Sequence, residues 1–476
     1  MNNCAWVLNH RLHTSIEIPL MFSNPDIESE KKTASVGFIS LGCAKNLVDS
    51  QLMAGVLISE KLKLARSPEE ADIVIVNTCA FIEEARAESM EMIETACRMK
   101  ESGQCRAVLV TGCLPQRYKE GLRTKLPAVD AFIGLDELEN VAEVVKELAE
   151  GKRGIFKVSS KSTKLYEPRV PGITFTGGPF AYIKIAEGCN HRCSFCAIPD
   201  IRGAYRSRSI SQVVKEAEKL LINGIRELNL ISQDVTSYGR DLKYETDLAK
   251  LIEELRRLDG KFWIRLLYGH PAMVSDRLLK VMAETPQVCH YFDLPIQHSH
   301  PDILRAMRRS DSIMHIEKMA DRIRQIMPDV ALRTTCLVGF PGETDEHFEH
   351  LLDFVQRVEF DLLGVFTFSP EEHTAAFDMP DRPDEETTAA RRDDLLVVQM
   401  DIVDRKAAAM IGTETEVLLE REIPESNRWM GRARRSAPEV DGVVFVENLS
   451  ADTLPGEFVK VRYTAQQEYD MVAESI

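Results

Sequence analysis

Short apolar runs, each followed by a segment with helical period, recur along most of the chain. Between 35 and 150 they are VGFISLGC (36–43), DIVIVNTC (72–79) and AVLVTGC (107–113). NLVDSQLMAGVLISEK and EEARAESMEMIETACRM follow the first two, and ELENVAEVVKELAE (137–150) closes the block. This alternation predicts a doubly wound parallel sheet. A second series runs from 180 to about 370: AYIKIA (181–186), ELNLIS (227–232), WIRLLY (263–268), YFDLPI (291–296), ALRTTCLVGF (331–340) and LLGVFTF (362–368). Helical segments such as SQVVKEAEKLLING, DLAKLIEELRRL, SDRLLKVMAET and TDEHFEHLLDFVQRV lie between them. Six β/α units predict a partial (β/α)6 barrel with its site at the carboxyl ends of the strands. Near the end, TEVLLERE, GVVFVEN and GEFVKVRYTA are separated by turn residues and predict a small antiparallel β-barrel.

The pattern therefore divides an α/β multidomain chain at 35, 151, 180 and 411. Residues 1–34 read as a flexible extension. Residues 151–179 read as a linker, with Pro168, Pro171, Gly172, Gly177, Gly178 and Pro179 and no sustained apolar period. A charged, Ala-rich helix at about 385–410 precedes the last domain. Without a run of eighteen apolar residues there is no membrane span to expect. The opening residues lack the basic start and apolar core of a signal peptide. The expected compartment is the reducing cytoplasm, where regularly spaced cysteines point to metal sites more than to disulfides. A net charge of −16 makes the chain a poor partner for phosphate backbones and a better one for something basic.

Six of the eleven cysteines carry most of the chemistry. Cys189, Cys193 and Cys196 form a C-x3-C-x2-C loop directly after the first barrel strand. Cys43, Cys79 and Cys113 each end a predicted strand of the first domain. In a parallel sheet all carboxyl ends share one edge, so the fold gathers three thiols that are far apart in sequence. Thiolates hold iron–sulfur clusters, usually four to a cubane, and three leave one iron open. Structural zinc normally fills four positions, and no second cysteine pair lies nearby. His191 reads as a loop residue. Cys97, Cys105, Cys289 and Cys336 read as unreactive, since buried free cysteine behaves as a small hydrophobe. Ser232-Gln233-Asp234 and Gln297-His298 follow barrel strands. The run Gly339–Thr344 reads either as a cofactor loop or as a β-to-α turn with Thr344 as helix N-cap.

The loop C-x3-C-x-aromatic-C resembles the signature of the radical S-adenosylmethionine enzymes. That resemblance implies an open iron that binds the amino and carboxylate groups of S-adenosylmethionine, and reductive release of a deoxyadenosyl radical. It places Phe195 beside the adenine. Ser232 and Gln233, which face the expected barrel mouth and otherwise read as a polar turn, and Gly339 are the other candidate cofactor contacts. SLGCAKNLVDS, NTCAFI, TGCLPQRY, Arg202-Gly203, LISQD, DLPIQH and VGFPGET extend the likeness over 36–476 to the methylthiotransferases, with a TRAM-like C-terminal domain. Two 4Fe–4S clusters are then implied. Cys189, Cys193 and Cys196 would hold the one that generates the radical. Cys43, Cys79 and Cys113 would hold the one that supplies sulfur, with a second S-adenosylmethionine as methyl donor.

Such enzymes act on a tRNA adenosine or on an aspartate of a ribosomal protein. Residues 411–476 hold seven Lys+Arg against thirteen Asp+Glu, a net of −6. RNA affinity comes mainly from neutralised phosphates, so an acidic domain disfavours tRNA and suits a basic protein loop. Arg432, Arg434 and Arg435 form the small basic cluster that argues the other way. GRARRSAPEVDGVVFVEN and FTFSPEEHTAA resemble the branch acting on small-subunit ribosomal protein S-twelve, the RimO type, with His373 where glycine is expected. The expected function is methylthiolation of the β-carbon of an aspartate in that protein, by a monomer served by an unidentified electron donor. The alternatives are a tRNA adenosine methylthiotransferase and a non-catalytic iron–sulfur sensor or scaffold.

Overall fold

The computed structural model describes residues 14–15, 34–103, 105–168, 170, 173–309 and 313–476. Apart from Thr14, Ser15 and Ala34, the extension expected at 1–34 lies outside the described residues. The chain forms two compact units. The first comprises the chain to Gly177 together with Ala186–His191 and Cys196–Arg208; the second holds Gly178–Ile185, Arg192–Phe195 and Ser209–Ile476.

The first unit is built on strands β1 (Ser35–Ser40), β2 (Lys63–Leu64), β3 (Ile73–Thr78), β4 (Ala107–Gly112), β5 (Ala131–Ile133) and β6 (Ile155–Lys157). All are parallel, in the order β2-β1-β3-β4-β5-β6, and Thr14–Ser15 pairs antiparallel with β1. The order reverses between β1 and β3, so this is the doubly wound sheet expected, with its crevice at the carboxyl ends of those two strands. Successive side chains of each strand face opposite ways. Val36, Phe38, Ile73, Ile75, Ala107 and Leu109 enter one buried cluster with Leu52, Met53, Val56 and Leu57 of the helix Ala44–Ser59. Ile39, Val74, Val76, Val108 and Val110 enter another with Ile93 and Ala96 of the helix Glu83–Ser102. Burial on both faces explains why these strands read as continuous apolar runs rather than as alternating ones.

The stretch read as a linker from 151 begins with one more strand of this sheet, β6. Three residues, the last a charged lysine, are too few to show a period. The chain just beyond β6 is also tied down. The buried Asp136 carboxylate accepts hydrogen bonds from the Thr163 and Lys164 amides and from the Ser162 and Thr163 hydroxyls at 2.9–3.2 Å.

In the second unit six parallel strands form two ladders: β7 (Phe180–Lys184), β8 (Glu227–Ile231) and β9 (Trp263–Leu266), then β10 (Tyr291–Asp293), β11 (Ala331–Val338) and β12 (Leu362–Thr367). A single bridge, Ile264 to Val288, joins the two. Helices Ile210–Ile222, Leu248–Leu255, Asp276–Ala283 and Asp345–Val358 pack their apolar faces on the strands in one continuous core. The partial barrel therefore has the six strands expected. Helix Glu385–Met410 leads to a closed barrel of β13 (Glu414–Ile423), β14 (Arg428–Ala433), β15 (Val444–Glu447), β16 (Phe458–Gln467) and β17 (Asp470–Ser475), ordered β13-β14-β15-β17-β16. It departs from the expected antiparallel barrel at one seam, where β15 and β17 run parallel. Register shifts at Leu419/Arg421 and Tyr463/Ala465 bend the two long strands so that five suffice for closure.

Candidate active site

At the crevice of the parallel sheet, Cys43 caps the N-terminus of helix Ala44–Ser59, Cys79 directly follows β3, and Cys113 opens the helix Cys113–Tyr118 after β4. A polar lattice fixes their backbone. Asn46 Nδ2 donates to the Leu41 and Thr78 carbonyls at 3.0 and 2.9 Å, and Asn77 Nδ2 donates to the Asn46 carbonyl and to Ser50 Oγ. Ser89 Oγ clamps Cys79 by accepting from its amide and donating to its carbonyl. Gly42 has φ +83°, and a Cβ there would stand 2.6 Å from Cys79 Cβ, so only glycine lets the two segments approach.

The three thiols are unbridged and close enough to influence one another's charge. Burial raises the Cys79 and Cys113 thiols; repulsion from Cys113 and Cys43 adds to the rise at Cys79, whereas at Cys113 the Arg202 guanidinium opposes it. At Cys43 burial acts the same way, but Lys45 and Arg202 outweigh it and hold the thiol below its ordinary range. Among the described residues, three sulfur donors with cationic neighbours make a donor set that fits an iron–sulfur cluster with one iron open.

Arg202 completes this region within the same unit. It is 1% exposed, and its guanidinium bonds Glu187 at 3.0 Å, Asp49 at 3.0 Å, Asn46 Oδ1 at 2.5 Å and Cys113 Sγ at 3.5 Å. Burial opposes its charge, yet Cys113, Glu187, Asp49 and Cys43 raise its pKa well above the ordinary value. Removing one partner of such a buried pair typically costs on the order of 3–5 kcal/mol. Asn46 and Asp49 are not singled out by the sequence reading. Their signal was the spacing Asn46, Asp49, Ser50, a polar stripe at i, i+3, i+4 on a helix whose central residues the fold buries.

The second set occupies a loop that is only half-buried. Its ends are anchored separately. The Cys189 amide donates to the Gly203 carbonyl at 3.1 Å, and Gly188 (φ +80°) passes so close to Ala204 that a Cβ would meet its carbonyl oxygen at 2.2 Å. Ser194 donates from its amide to the Met307 carbonyl and from its hydroxyl to the Ala306 carbonyl. Arg309 Nη1 lies 3.6 Å from Cys193 Sγ while its Nη2 donates to the Pro295 carbonyl. Phe195 packs, half-buried, against Ile303, Met307, Leu337, Phe340 and Ala376.

The remaining candidates follow the carboxyl ends of β8, β10 and β11. Ser232 is buried and accepts from the Asp234 amide at 3.1 Å, while Gln233 is half-buried. The Gly339 amide donates to Glu343 Oε2 at 3.0 Å, Glu343 pairs with Arg391 at 2.8 Å, and Thr344 caps the following helix. The capped turn is therefore present. Gln297 and Tyr268 hold left-handed backbone at φ +70° and +66°, a conformation that costs a non-glycine residue about 1–2 kcal/mol and tends to mark functional sites. His298 is fully buried; burial, with His300, His347 and His350 adding, lowers its pKa to about 3, so it is neutral. Its Nδ1 accepts from the His300 amide, while among the described residues Nε2 finds no hydrogen-bond partner and lies 3.7 Å from Glu343. An orphaned buried imidazole at a strand end fits a polar cofactor group.

Among the described residues a further group, His300, Asp302 and His347, brings possible metal donors within 4.8 Å of one another. Both imidazoles already cap helices through Nδ1, and Asp302 pairs with Arg305 at 2.6 Å. Those roles account for them.

Three family descriptions match: "Uncharacterized protein family UPF0004" over 35–134, "Radical SAM superfamily" over 183–355 and "TRAM domain" over 411–476. Ribosomal protein uS12 methylthiotransferase RimO of Desulfitobacterium hafniense is 40% identical over 93% of this chain and 98% of its own length. The RimO of Syntrophus aciditrophicus is 43% identical over 94% and 99%. The chain belongs to the RimO family. Its cofactors are accordingly S-adenosylmethionine and 4Fe–4S clusters, and it is a radical S-adenosylmethionine methylthiotransferase. Among solved structures, the radical S-adenosylmethionine methyltransferase TsrM from Kitasatospora setae shares the fold, with a TM-score of 0.54 at 15% identity over 72% of this chain and 77% of that one. Among the described residues, no helix is long and apolar enough to cross a membrane.

The RimO reading gains physical support from the arginines that argued for RNA. Arg432 is buried between Glu227 and Glu420, at 2.5 Å from each. Arg434 donates to the Pro286 and Val288 carbonyls, and Arg435 pairs with Asp361 at 3.0 Å. All three are engaged with acids or backbone carbonyls inside the second unit, so they do not stand as a free basic cluster for phosphate.

Proposed function

We propose that the chain methylthiolates the β-carbon of an aspartate in ribosomal protein uS12. The observation that carries this reading is identity of about 40% along nearly the whole length of proteins so named. Bound clusters and S-adenosylmethionine supply the hydrogen-abstracting radical, the sulfur and the methyl group. Cys189, Cys193 and Cys196 are the ligands of the radical-generating cluster, with Phe195, Ser232, Gln233 and Gly339 lining the place of S-adenosylmethionine. Cys43, Cys79 and Cys113 are the ligands of the sulfur-supplying cluster, and burial of Cys79 and Cys113 shields it from water. The acidic C-terminal barrel receives the basic substrate. The working division is 35–150 for the sulfur-supplying domain, 180–410 for the radical domain and 411–476 for substrate. The enzyme works in the cytoplasm as a monomer and takes electrons from a separate donor.

Mass spectrometry of uS12 and of total tRNA from a strain lacking the gene tests the reading. A methylthio group missing from uS12 and restored by the full-length gene is expected. Loss confined to a tRNA adenosine would reject it. Failure of the reduced protein to form deoxyadenosine would favour the sensor or scaffold instead.

A further inference from the structure

Arg202 ends the short helix Ile198–Arg202 that leaves the cysteine loop, and nothing in the proposed chemistry explains a guanidinium at that place. Burying a cation is costly unless its charge and its N–H groups are met. Glu187 and Asp49, both themselves buried, meet the charge at 3.0 Å each. A purely structural tie would be complete with those two carboxylates. The same Nη2 that binds Asp49 also lies 3.5 Å from Cys113 Sγ. One fork thus joins two acids, the Asn46 amide oxygen and a sulfur of the crevice, all within the first unit.

We propose that Arg202 is a positioning residue for the auxiliary cluster: it donates to the Cys113 sulfur and its fixed charge raises the reduction potential of that cluster. The inference rests on the reading that Cys43, Cys79 and Cys113 hold a cluster. Reduction adds one electron to a group already made anionic by three thiolates. A cation at van der Waals distance, in an interior of low dielectric, favours the reduced form, and hydrogen bonds to ligand sulfur act the same way. Glu187 and Asp49 offset part of that charge, so removing either acts with the opposite sign. The opposing signs separate an electrostatic role from a merely structural one.

The test uses the full chain with Cys189, Cys193 and Cys196 all changed to alanine, so that only the auxiliary cluster remains. After anaerobic reconstitution, about four irons per chain are expected. Iron absent at this stage overturns both the cluster reading and the inference. With iron present, electron paramagnetic resonance at a fixed, mediator-poised potential gives the ratio of reduced to oxidised cluster, one electron being taken from the mediator. Arg202→Gln is expected to lower that ratio about tenfold, Arg202→Lys by less than about threefold, and Glu187→Gln to raise it. A ratio unchanged by Arg202→Gln, or moved the same way by Glu187→Gln, overturns the inference while leaving the cluster reading intact. Should Arg202→Gln fail to load iron, Glu187→Gln decides alone: a rise supports the proposal, and no rise overturns it.

Discussion

Cys43, Cys79 and Cys113 stand thirty-four or more residues apart and meet because three parallel strands end at one edge, whereas Cys189, Cys193 and Cys196 fall within eight residues of a single loop. The first set is the more enclosed, with Cys79 and Cys113 buried, while every member of the second is half-buried. Each has an arginine near one sulfur, Arg202 at 3.5 Å from Cys113 and Arg309 at 3.6 Å from Cys193. Arg202 is locked by two carboxylates, whereas Arg309 is steadied through the Pro295 backbone carbonyl. Geometry that spacing supplies in the loop must come from the whole sheet at the crevice. The scattered site should therefore depend on fold stability, and the local site on its anchors.

The largest expected effect separates the two chemically. Cys79→Ala and Cys193→Ala should each remove about four of about eight irons. Methylthio transfer should vanish in both. Deoxyadenosine formation after chemical reduction should vanish in Cys193→Ala and persist in Cys79→Ala. Loss of deoxyadenosine in both variants would mean that the sites do not work independently.

A smaller effect tests how each site is supported. Gly42→Ala puts a Cβ 2.6 Å from Cys79 Cβ, and Gly188→Ala puts one 2.2 Å from the Ala204 carbonyl, both at positive φ. Overpacking and left-handed strain together should cost about 2–4 kcal/mol in each. Urea unfolding of the iron-free chains reads that cost. Iron counting should then show Gly42→Ala depleted at the crevice with deoxyadenosine formation spared, and Gly188→Ala the reverse. If both lose the same cluster, the contrast between sheet-built and loop-built sites fails.

That contrast also explains what could be read in advance. The apolar runs ending in Cys43, Cys79 and Cys113 marked the strand ends, because strands buried on both faces are long and unmixed. Strand β6, three residues long at the sheet edge, carried too little pattern to be seen. Arg202 was visible only as part of a resemblance, since an arginine's burial depends on acids 15 and 153 residues away in the chain. Arg432, Arg434 and Arg435 were legible as charges, but not as charges already committed to Glu227, Asp361 and backbone carbonyls. Spacing shows which groups exist; their pairing is a property of the folded chain.

His373 offers the mildest perturbation of the loop-built site. It holds φ +69° where the resemblance led us to expect glycine. The turn around it is closed by the Thr374 amide and hydroxyl on the Glu371 carbonyl, and shortly beyond it the Ala376 amide donates to the Ser194 carbonyl, between Cys193 and Cys196. Left-handed backbone strains histidine but not glycine, and the greater freedom of glycine in the unfolded chain cancels part of the gain. His373→Gly should therefore stabilise the protein by under about 1 kcal/mol in urea unfolding, with iron content and deoxyadenosine formation unchanged. The strain is then a local tolerance, and the loop depends on the Ala376–Ser194 bond rather than on the side chain before it. Loss of iron in this variant would instead show that the imidazole itself helps to hold the loop.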